Sequence, residues 1–179
     1  MALTQKAIDL IKHYESLHDG DLKKLGIQPK LDPVGIWTIG WGHAVTDPVT
    51  KKQLKGAENK LKAESLYPNF DERQANDLLL RDTAAFESAV RALVPKTLKE
   101  DQIGALVAMA FNIGMGNFKT SSTLTAILKG DIKTAGDKML LWNKATDING
   151  VKVELKGLTY RRMSERDLLV SGVLKFYNV

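Results

Sequence analysis

LDPVGIWTIGWGH, residues 31–43, contains three glycines and two tryptophans within thirteen positions. Its central part, GIWTIGWG, has the clearest β-strand character in the chain, because β-branched and aromatic residues dominate it. Glycine in a strand costs backbone entropy and offers no side chain to pack, unless the backbone turns or another group approaches it closely. The stretch therefore predicts a short strand whose backbone a bulky group approaches.

Upstream of this strand the chain predicts one amphipathic helix. In TQKAIDLIKHYES, residues 4–16, apolar residues recur at three- and four-residue steps, and Thr4 is available as an N-cap. The pattern predicts a helix that ends near Glu15. Between His18 and Val49 the periodicity disappears while Gly, Pro and Asp accumulate, which predicts a small lobe of loops and short strands.

Downstream of Asp71 apolar residues recur with helical spacing to the end of the chain. We expect helices in DERQANDLLLRDTAAFESAVRALV, stopped by Pro95; in EDQIGALVAMAFNIGMG, ended by Gly114 and Gly116; in SSTLTAILKGD, with a serine cap; in DIKTAGDKMLLWNKA, opened by Asp131; and in GLTYRRMSERDLLVSG. The second segment is apolar enough to form the centre of the core. The Asn-Gly pair in INGVKV predicts a type I′ turn before the last helix.

These elements predict an α+β fold that is mainly α-helical and forms a single domain over residues 1–179. Residues 16–50 form the small loop and strand lobe in this prediction, and residues 1–15 and 71–179 form the larger helical lobe. We find no internal repeat and no low-complexity linker that would separate a second domain.

Composition narrows the classes of function. The chain has no cysteine, which excludes disulfides, thiolate metal sites and cysteine nucleophiles, and its three dispersed histidines do not predict a zinc site. The N-terminal segment lacks an apolar run long enough for a signal peptide or a membrane anchor. The net charge of +5 favours an anionic partner such as nucleic acid, anionic lipid or a cell-wall polymer.

Glu15, Asp32 and Thr38 together suggest a hydrolytic site. Hydrolysis of a glycosidic bond needs an acid to protonate the leaving oxygen and a second carboxylate to stabilise positive charge or to activate water. A threonine on the adjoining strand would share that water, and the glycines would let a sugar chain approach. From spacing alone, a solvated charge at Glu15 and a turn at Asp32 before Pro33 explain the same residues.

YES followed by DPVGIWTIGWGH resembles the catalytic signature of the phage-type lysozymes, glycoside hydrolase family 24. FNIGMGNF, SSTL and GLTYRRMSERDLL resemble further segments of the endolysin branch, in the expected order. The resemblance implies a lysozyme-like two-lobed fold and an endolysin muramidase. Such an enzyme hydrolyses the β-1,4 bond between N-acetylmuramic acid and N-acetylglucosamine in peptidoglycan, with inversion at the anomeric carbon and with no metal or cofactor.

The resemblance implies that Glu15 is the general acid, Asp32 the second carboxylate and Thr38 the residue that helps to hold the attacking water. Sixteen residues separate Glu15 from Asp32, more than in the family's usual pattern, and the family's spacing from Glu15 falls on Lys24. Asp32 and Thr38 belong to one short turn and strand, whereas loops accept insertions easily. We therefore place the insertion within HDGDLKKLGIQPK, residues 18–30.

Some alternatives within this resemblance stay open. Asp19 and Asp21 are rival second carboxylates, and Lys30 replaces an aromatic residue that often contacts a sugar in the family. His43 either acts as a base or, as the family's pattern implies, pairs with Asp82. The tryptophans either stack on sugars or pack against the strand; they are Trp37, Trp41 and Trp142.

Further site residues are carried over from the matching segments. The candidates for substrate binding are Phe111, Asn112 and Ser122. Core packing is the alternative for Phe111, and capping of a helix is the alternative for Ser122. Arg161 and Arg162 match arginines near the family's catalytic Glu, so either would orient Glu15 by an ion pair; a solvated helix face is the alternative.

The resemblance also implies partners and a location. We expect bacterial peptidoglycan as substrate, possible contact with anionic membrane or outer-membrane lipid, no nucleic acid, and a monomer. Without an export signal, the protein would stay in the host cytoplasm until its release to the cell wall or periplasm at lysis. The alternative function is a catalytically inactive wall-binding or membrane-disrupting protein, because KTAGDKMLLWNKA is basic and amphipathic.

Overall fold

The computed structural model of the chain describes residues 3–21, 24–146 and 150–178. Their backbone divides into two compact units. The small unit is Glu15–Asp82, and the helical unit joins the chain up to Tyr14 with the chain from Thr83 onward. The predicted α+β, mainly α-helical fold is confirmed.

The small unit contains a three-stranded antiparallel sheet. Its strands are β1 (Lys30–Leu31), β2 (Trp37–Ile39) and β3 (His43–Ala44), in spatial order β1-β2-β3. Lys30 pairs with Thr38 across β1 and β2, and Ile39 pairs with His43 across β2 and β3. The predicted strand is therefore confirmed, although it is shorter than GIWTIGWG because glycine turns begin at both of its ends.

An apolar core lies beneath this sheet. Its buried members are Ile27, Trp37, Ile39, Val45, Leu54, Ala63, Phe70, Ala75 and Leu78. The Trp37 indole is 6% exposed and donates from Nε1 to the Gly56 carbonyl at 2.8 Å, while Trp41 Nε1 donates to Asn76 Oδ1 at 2.9 Å. Packing is therefore the role that the structure gives to Trp37, because a buried ring has no face free for a sugar.

Helices complete both units. In chain order they are α1 (Gln5–Glu15), a 3₁₀ turn (Ala57–Asn59), α2 (Lys60–Ser65), α3 (Glu72–Leu93), α4 (Glu100–Ile113), α5 (Met115–Lys119), α6 (Ser122–Leu128), α7 (Ile132–Met139) and α8 (Lys156–Ser171). The boundaries between the units fall at the end of α1 and within α3. The stretch Ile103–Ala110 of α4 is buried throughout, which confirms that this apolar segment is central to its unit.

The predicted helix ends are confirmed at several positions. Thr4 Oγ1 accepts from the Ala7 N–H at 3.4 Å, and Asp131 Oδ1 accepts from the Thr134 N–H at 2.9 Å. The serine that caps α6 is Ser121, whose hydroxyl accepts from the Leu124 N–H at 3.1 Å. Capping by Ser122 is therefore wrong, because that residue is already the first of the helix.

Two details of the helical prediction are wrong. Gly116 does not end a helix; Gly114, with a φ of 81°, ends α4 and the chain continues directly into α5. The helix opened by Asp131 stops at Met139, because the residues beyond it form the hairpin β4 (Lys144–Thr146) and β5 (Lys152–Glu154). The short helix α2 had no sequence prediction. The Asn-Gly turn predicted in INGVKV falls partly outside the described residues.

Among the described residues, no helix combines the length and the apolarity that a membrane crossing requires.

Candidate active site

A cavity of about 500 Å³ opens on the small unit beside the sheet. Its lining residues are Glu15, Ser16, Leu17, His18, Lys30, Leu31, Asp32 and Pro33. Two segments therefore form it, residues 15–18 at the end of α1 and residues 30–33 in β1 and the start of the turn that follows it. The cavity brings together the two carboxylates that the sequence analysis selected, although sixteen residues separate them in the chain.

Glu15 is the last residue of α1, and the chain turns away immediately after it because Ser16 takes a positive φ of 58°. The Glu15 carboxylate lies against Gly42, where the φ is 85° and an added Cβ would be 3.2 Å from Glu15 Oε2. Gly42 therefore leaves room for this carboxylate. The sequence analysis expects a sugar chain to approach these glycines, which stays a prediction, and the group that the structure places against Gly42 is the Glu15 carboxylate.

Asp32 stabilises the turn that leads into β2. Its Oδ1 accepts from the Ile36 N–H at 2.7 Å and from the Val34 N–H at 3.0 Å. Both of these bonds use Oδ1, so Oδ2 is the oxygen with which this carboxylate can meet water or substrate. The turn role and the catalytic role are therefore compatible in one side chain.

The rival carboxylates lie in the inserted loop. Asp19 Oδ1 accepts from the Gln28 N–H at 3.0 Å and from the Asp21 N–H at 3.3 Å, which ties the two ends of that loop together. Neither Asp19 nor Asp21 lines the cavity as the described residues form it. The family's spacing would place the second carboxylate at position 24. That residue is Lys24, whose Nζ pairs with Glu64 at 3.2 Å.

Thr38 lies behind the cavity wall and is 7% exposed. Its Oγ1 donates to the Lys30 carbonyl at 3.1 Å and is 3.2 Å from His18 Nδ1. Both partners line the cavity. His18 was missed as a candidate, because it falls inside the insertion and no motif or periodicity singles it out.

His43 and Asp82 form the predicted pair, with His43 Nδ1 at 2.8 Å from Asp82 Oδ2. The bond joins β3 to α3 within the small unit. The pairing of these residues is confirmed, and it gives His43 a structural role.

The arginines of α8 are buried in the helical unit. Arg162 Nη2 donates to Glu165 Oε1 at 2.7 Å, and Arg161 Nε donates to the same oxygen at 3.2 Å. All three side chains are at most 4% exposed, so a solvated helix face is wrong for Arg161 and Arg162. Glu165 was missed, although its spacing from both arginines suits contacts on one helix face.

The remaining candidates also belong to the helical unit. Asn112 Oδ1 accepts from Arg162 Nη2 at 3.0 Å, so its amide oxygen already has a partner. The Phe111 ring is half-buried and packs edge-to-face against Phe86, with ring centres 5.3 Å apart. Ser122 is exposed and lines a surface depression of about 300 Å³ between α6 and α7.

Within the described part of the chain, no three His, Asp or Glu side chains lie close enough together to hold a metal ion. The residues that line the cavity carry two carboxylates, the Ser16 hydroxyl, the His18 imidazole and the Lys30 amine, and the Thr38 hydroxyl lies behind them.

The comparisons with known proteins agree on one family. The model of the family described as Phage lysozyme matches residues 23–165, a range that contains Asp32 and Thr38 but begins after Glu15. The SAR-endolysin of Enterobacteria phage P21 is 33% identical over 155 residues, which cover 87% of this chain and 81% of that protein.

Two further comparisons cover nearly the whole chain. The endolysin of Bacillus phage PZA is 31% identical over 175 residues, or 98% of this chain, but the match spans only 57% of that longer protein. Among solved structures, the endolysin from Escherichia coli O157:H7 phage FAHEc1 superposes with a TM-score of 0.78 at 28% identity, and it covers 98% of this chain and 97% of its own.

Proposed function

The chain belongs to the phage lysozyme family, and from that premise we propose how its residues hydrolyse peptidoglycan. The protein is an endolysin, a lysozyme-type glycoside hydrolase. The bond that it cleaves is the β-1,4 bond between N-acetylmuramic acid and N-acetylglucosamine. The observation that carries the assignment is that Glu15 and Asp32 line one cavity.

Glu15 acts as the general acid in this proposal. Its proton passes to the glycosidic oxygen as the bond from that oxygen to the anomeric carbon breaks, and positive charge develops on the sugar ring. Asp32 is the second carboxylate, which takes a proton from a water molecule as the water oxygen attacks the anomeric carbon. Attack on the face opposite to the leaving group inverts the configuration, and Thr38 helps to hold that water.

The helical unit supplies secondary roles. We propose that Phe111, Asn112 and Ser122 contact the glycan, and that Arg161 or Arg162 orients the Glu15 carboxylate. Arg161 and Arg162 both bind the carboxylate of Glu165, which holds these two cations in the buried part of α8, and a guanidinium cation stabilises a neighbouring carboxylate anion. The single-domain organisation over residues 1–179 stays a prediction as well.

Partners and location follow from charge and family. Peptidoglycan is anionic through its peptide carboxylates, which suits a net charge of +5. We propose that the protein acts as a monomer, and that it stays in the host cytoplasm until release to the wall at lysis. Contact with anionic lipid stays a prediction that depends on exposed lysines, because the apolar side of α7, with Ala135 and Met139, is buried within its own unit.

The direct test is Glu15→Gln. The amide is nearly isosteric but has no acid proton to donate, so we expect the loss of activity on purified peptidoglycan to reach about 10²- to 10⁴-fold. Turbidity measures lysis, reducing ends distinguish hydrolysis from formation of an anhydro sugar, and NMR of the first product identifies the anomer. Activity of the variant near that of the wild type would overturn the role of Glu15.

A further inference from the structure

The hydroxyl of Thr38 is held by two partners. One is the main-chain carbonyl of Lys30 in the paired strand β1, at 3.1 Å, and the other is Nδ1 of His18, at 3.2 Å. His18 lies twenty residues before Thr38 in the chain and lines the cavity that also contains Glu15 and Asp32. The imidazole therefore directly contacts Thr38, the residue that helps to hold the attacking water in the proposed mechanism.

The chemistry of the two partners fixes the direction of both bonds. A hydroxyl has one proton to donate and two lone pairs with which to accept, while a carbonyl oxygen accepts only. Thr38 therefore donates its proton to the Lys30 carbonyl, and the Nδ1–H of His18 donates to Thr38 Oγ1. One lone pair of Oγ1 is left for a third partner.

We infer that His18 is a positioning residue, which holds the Thr38 hydroxyl so that it can only accept a hydrogen bond from the attacking water. A water that donates to Thr38 has its own lone pair directed elsewhere, as attack on the anomeric carbon requires. This inference rests on the proposed function, because it specifies how Thr38 takes part in the same reaction.

The backbone of His18 is fixed as well as its ring. Its N–H donates to the Gly40 carbonyl at 2.7 Å, directly beyond the end of β2. The main-chain N–H of His18 therefore binds Gly40, and its ring binds Thr38 in β2. The ring therefore reaches Thr38 from a defined backbone position, despite lying at the start of the inserted loop.

The test is a set of substitutions at His18, with kcat and KM measured on soluble peptidoglycan fragments. His18→Leu removes the donor, and we expect kcat to fall about tenfold, the usual effect of losing one hydrogen bond, with little change in KM. His18→Asn places an amide N–H close to the position of Nδ1 and should retain most of the activity. His18→Gln places its amide farther out and should resemble His18→Leu, which also covers the case in which the leucine variant does not fold.

A double-mutant cycle separates positioning from a merely structural role. If His18 acts through the Thr38 hydroxyl, His18→Leu should cost nothing further in a Thr38→Val background. Lys24→Ala is the matched control, because it releases the inserted loop from Glu64 without touching Thr38, and its kcat should equal that of the wild type.

The outcomes distinguish this inference from the proposed function. Additive effects of His18→Leu and Thr38→Val, or equal activities of the asparagine and glutamine variants, would overturn the positioning role. If Glu15→Gln is inactive in the same assay, the proposed function survives that result. If Glu15→Gln is active, both the proposed roles and this inference are overturned.

Discussion

Both units of the molecule have an apolar core, but they differ in what stabilises them besides that core. In the helical unit, α4 buries eight consecutive residues, from Ile103 to Ala110, and apolar contact supplies its stability. In the small unit the strands are only two or three residues long. Several of the turns there are held by an aspartate carboxylate that accepts hydrogen bonds from backbone N–H groups. Asp19, Asp32 and Asp47 all do so.

This difference explains where the site lies. A carboxylate in an apolar helix interface finds no free backbone N–H donors to replace its solvation, and Glu165 is buried in α8 only with Arg161 and Arg162 as partners. A turn-rich unit offers N–H donors that satisfy one oxygen of a carboxylate and leave the other for chemistry, as at Asp32. The small unit can therefore hold reactive side chains in fixed positions, while the apolar core of the helical unit provides stability.

The largest effect expected separates Asp32 from its rival Asp19. Asp32→Asn keeps an oxygen that can accept from Val34 and Ile36, so the turn should persist while the charge is lost. We expect activity on peptidoglycan to fall by about 10²- to 10⁴-fold. Asp19→Asn, the matched control, also keeps its acceptor oxygen and should leave the activity nearly unchanged.

Initial rates of Asp32→Asn, Asp19→Asn and Asp21→Asn, measured beside thermal unfolding, decide which carboxylate acts. A silent Asp32→Asn together with an inactive Asp19→Asn or Asp21→Asn would place the second carboxylate in the inserted loop. The alignment of Glu15 with Asp32 would then be wrong.

The next effect concerns the apolar core of the helical unit. Leu106 in α4 is fully buried, so Leu106→Ala should lower the free energy of unfolding by about 2 to 5 kcal/mol through lost burial and a residual cavity. Below its melting temperature the variant should keep its kcat, because no cavity-lining residue changes. Urea unfolding followed by circular dichroism measures the first effect. A strong loss of kcat in the folded variant would contradict the separation of stability from chemistry.

The smallest effect concerns a turn in the small unit. Lys62 donates to Asp47 Oδ2 at 2.6 Å, and the N–H groups of Val49 and Thr50 donate to Oδ1. The bond from Lys62 first, and then those from the backbone, hold the pKa of Asp47 well below the ordinary carboxyl value of about 3.9. The charged form is thus favoured by folding.

The sign of the pH effect follows from this direction. The stability that Asp47 contributes is fully present above the ordinary carboxyl pKa, and it is lost as the pH falls through the lower pKa of the folded state. Asp47→Asn should therefore unfold at a lower temperature than the wild type at neutral pH, and the difference should shrink towards pH 2. Melting curves across this range measure it, and a difference that does not depend on pH would contradict the role of the charge.

Prediction from sequence succeeded where the signal is local. Helical periodicity located α1, α3, α4 and α8, because a buried face imposes a repeat on neighbouring residues. It failed beyond Met139, where an amphipathic segment continues as the strands β4 and β5. Cross-strand pairing there involves residues six to ten positions apart, which a helical repeat cannot register.

The candidate site shows the same division between features that local sequence predicts and contacts that only the folded chain creates. The sequence by itself determined the residue types and their order, with Glu15 at a helix end, Asp32 in a turn and Thr38 six residues later, because turn and strand geometry fix short spacings. Only the tertiary structure decided that the Glu15 carboxylate fills the space left at Gly42, and that His18 holds the Thr38 hydroxyl. Those contacts join residues twenty or more positions apart, and their existence depends on how the chain closes its loops rather than on any local pattern.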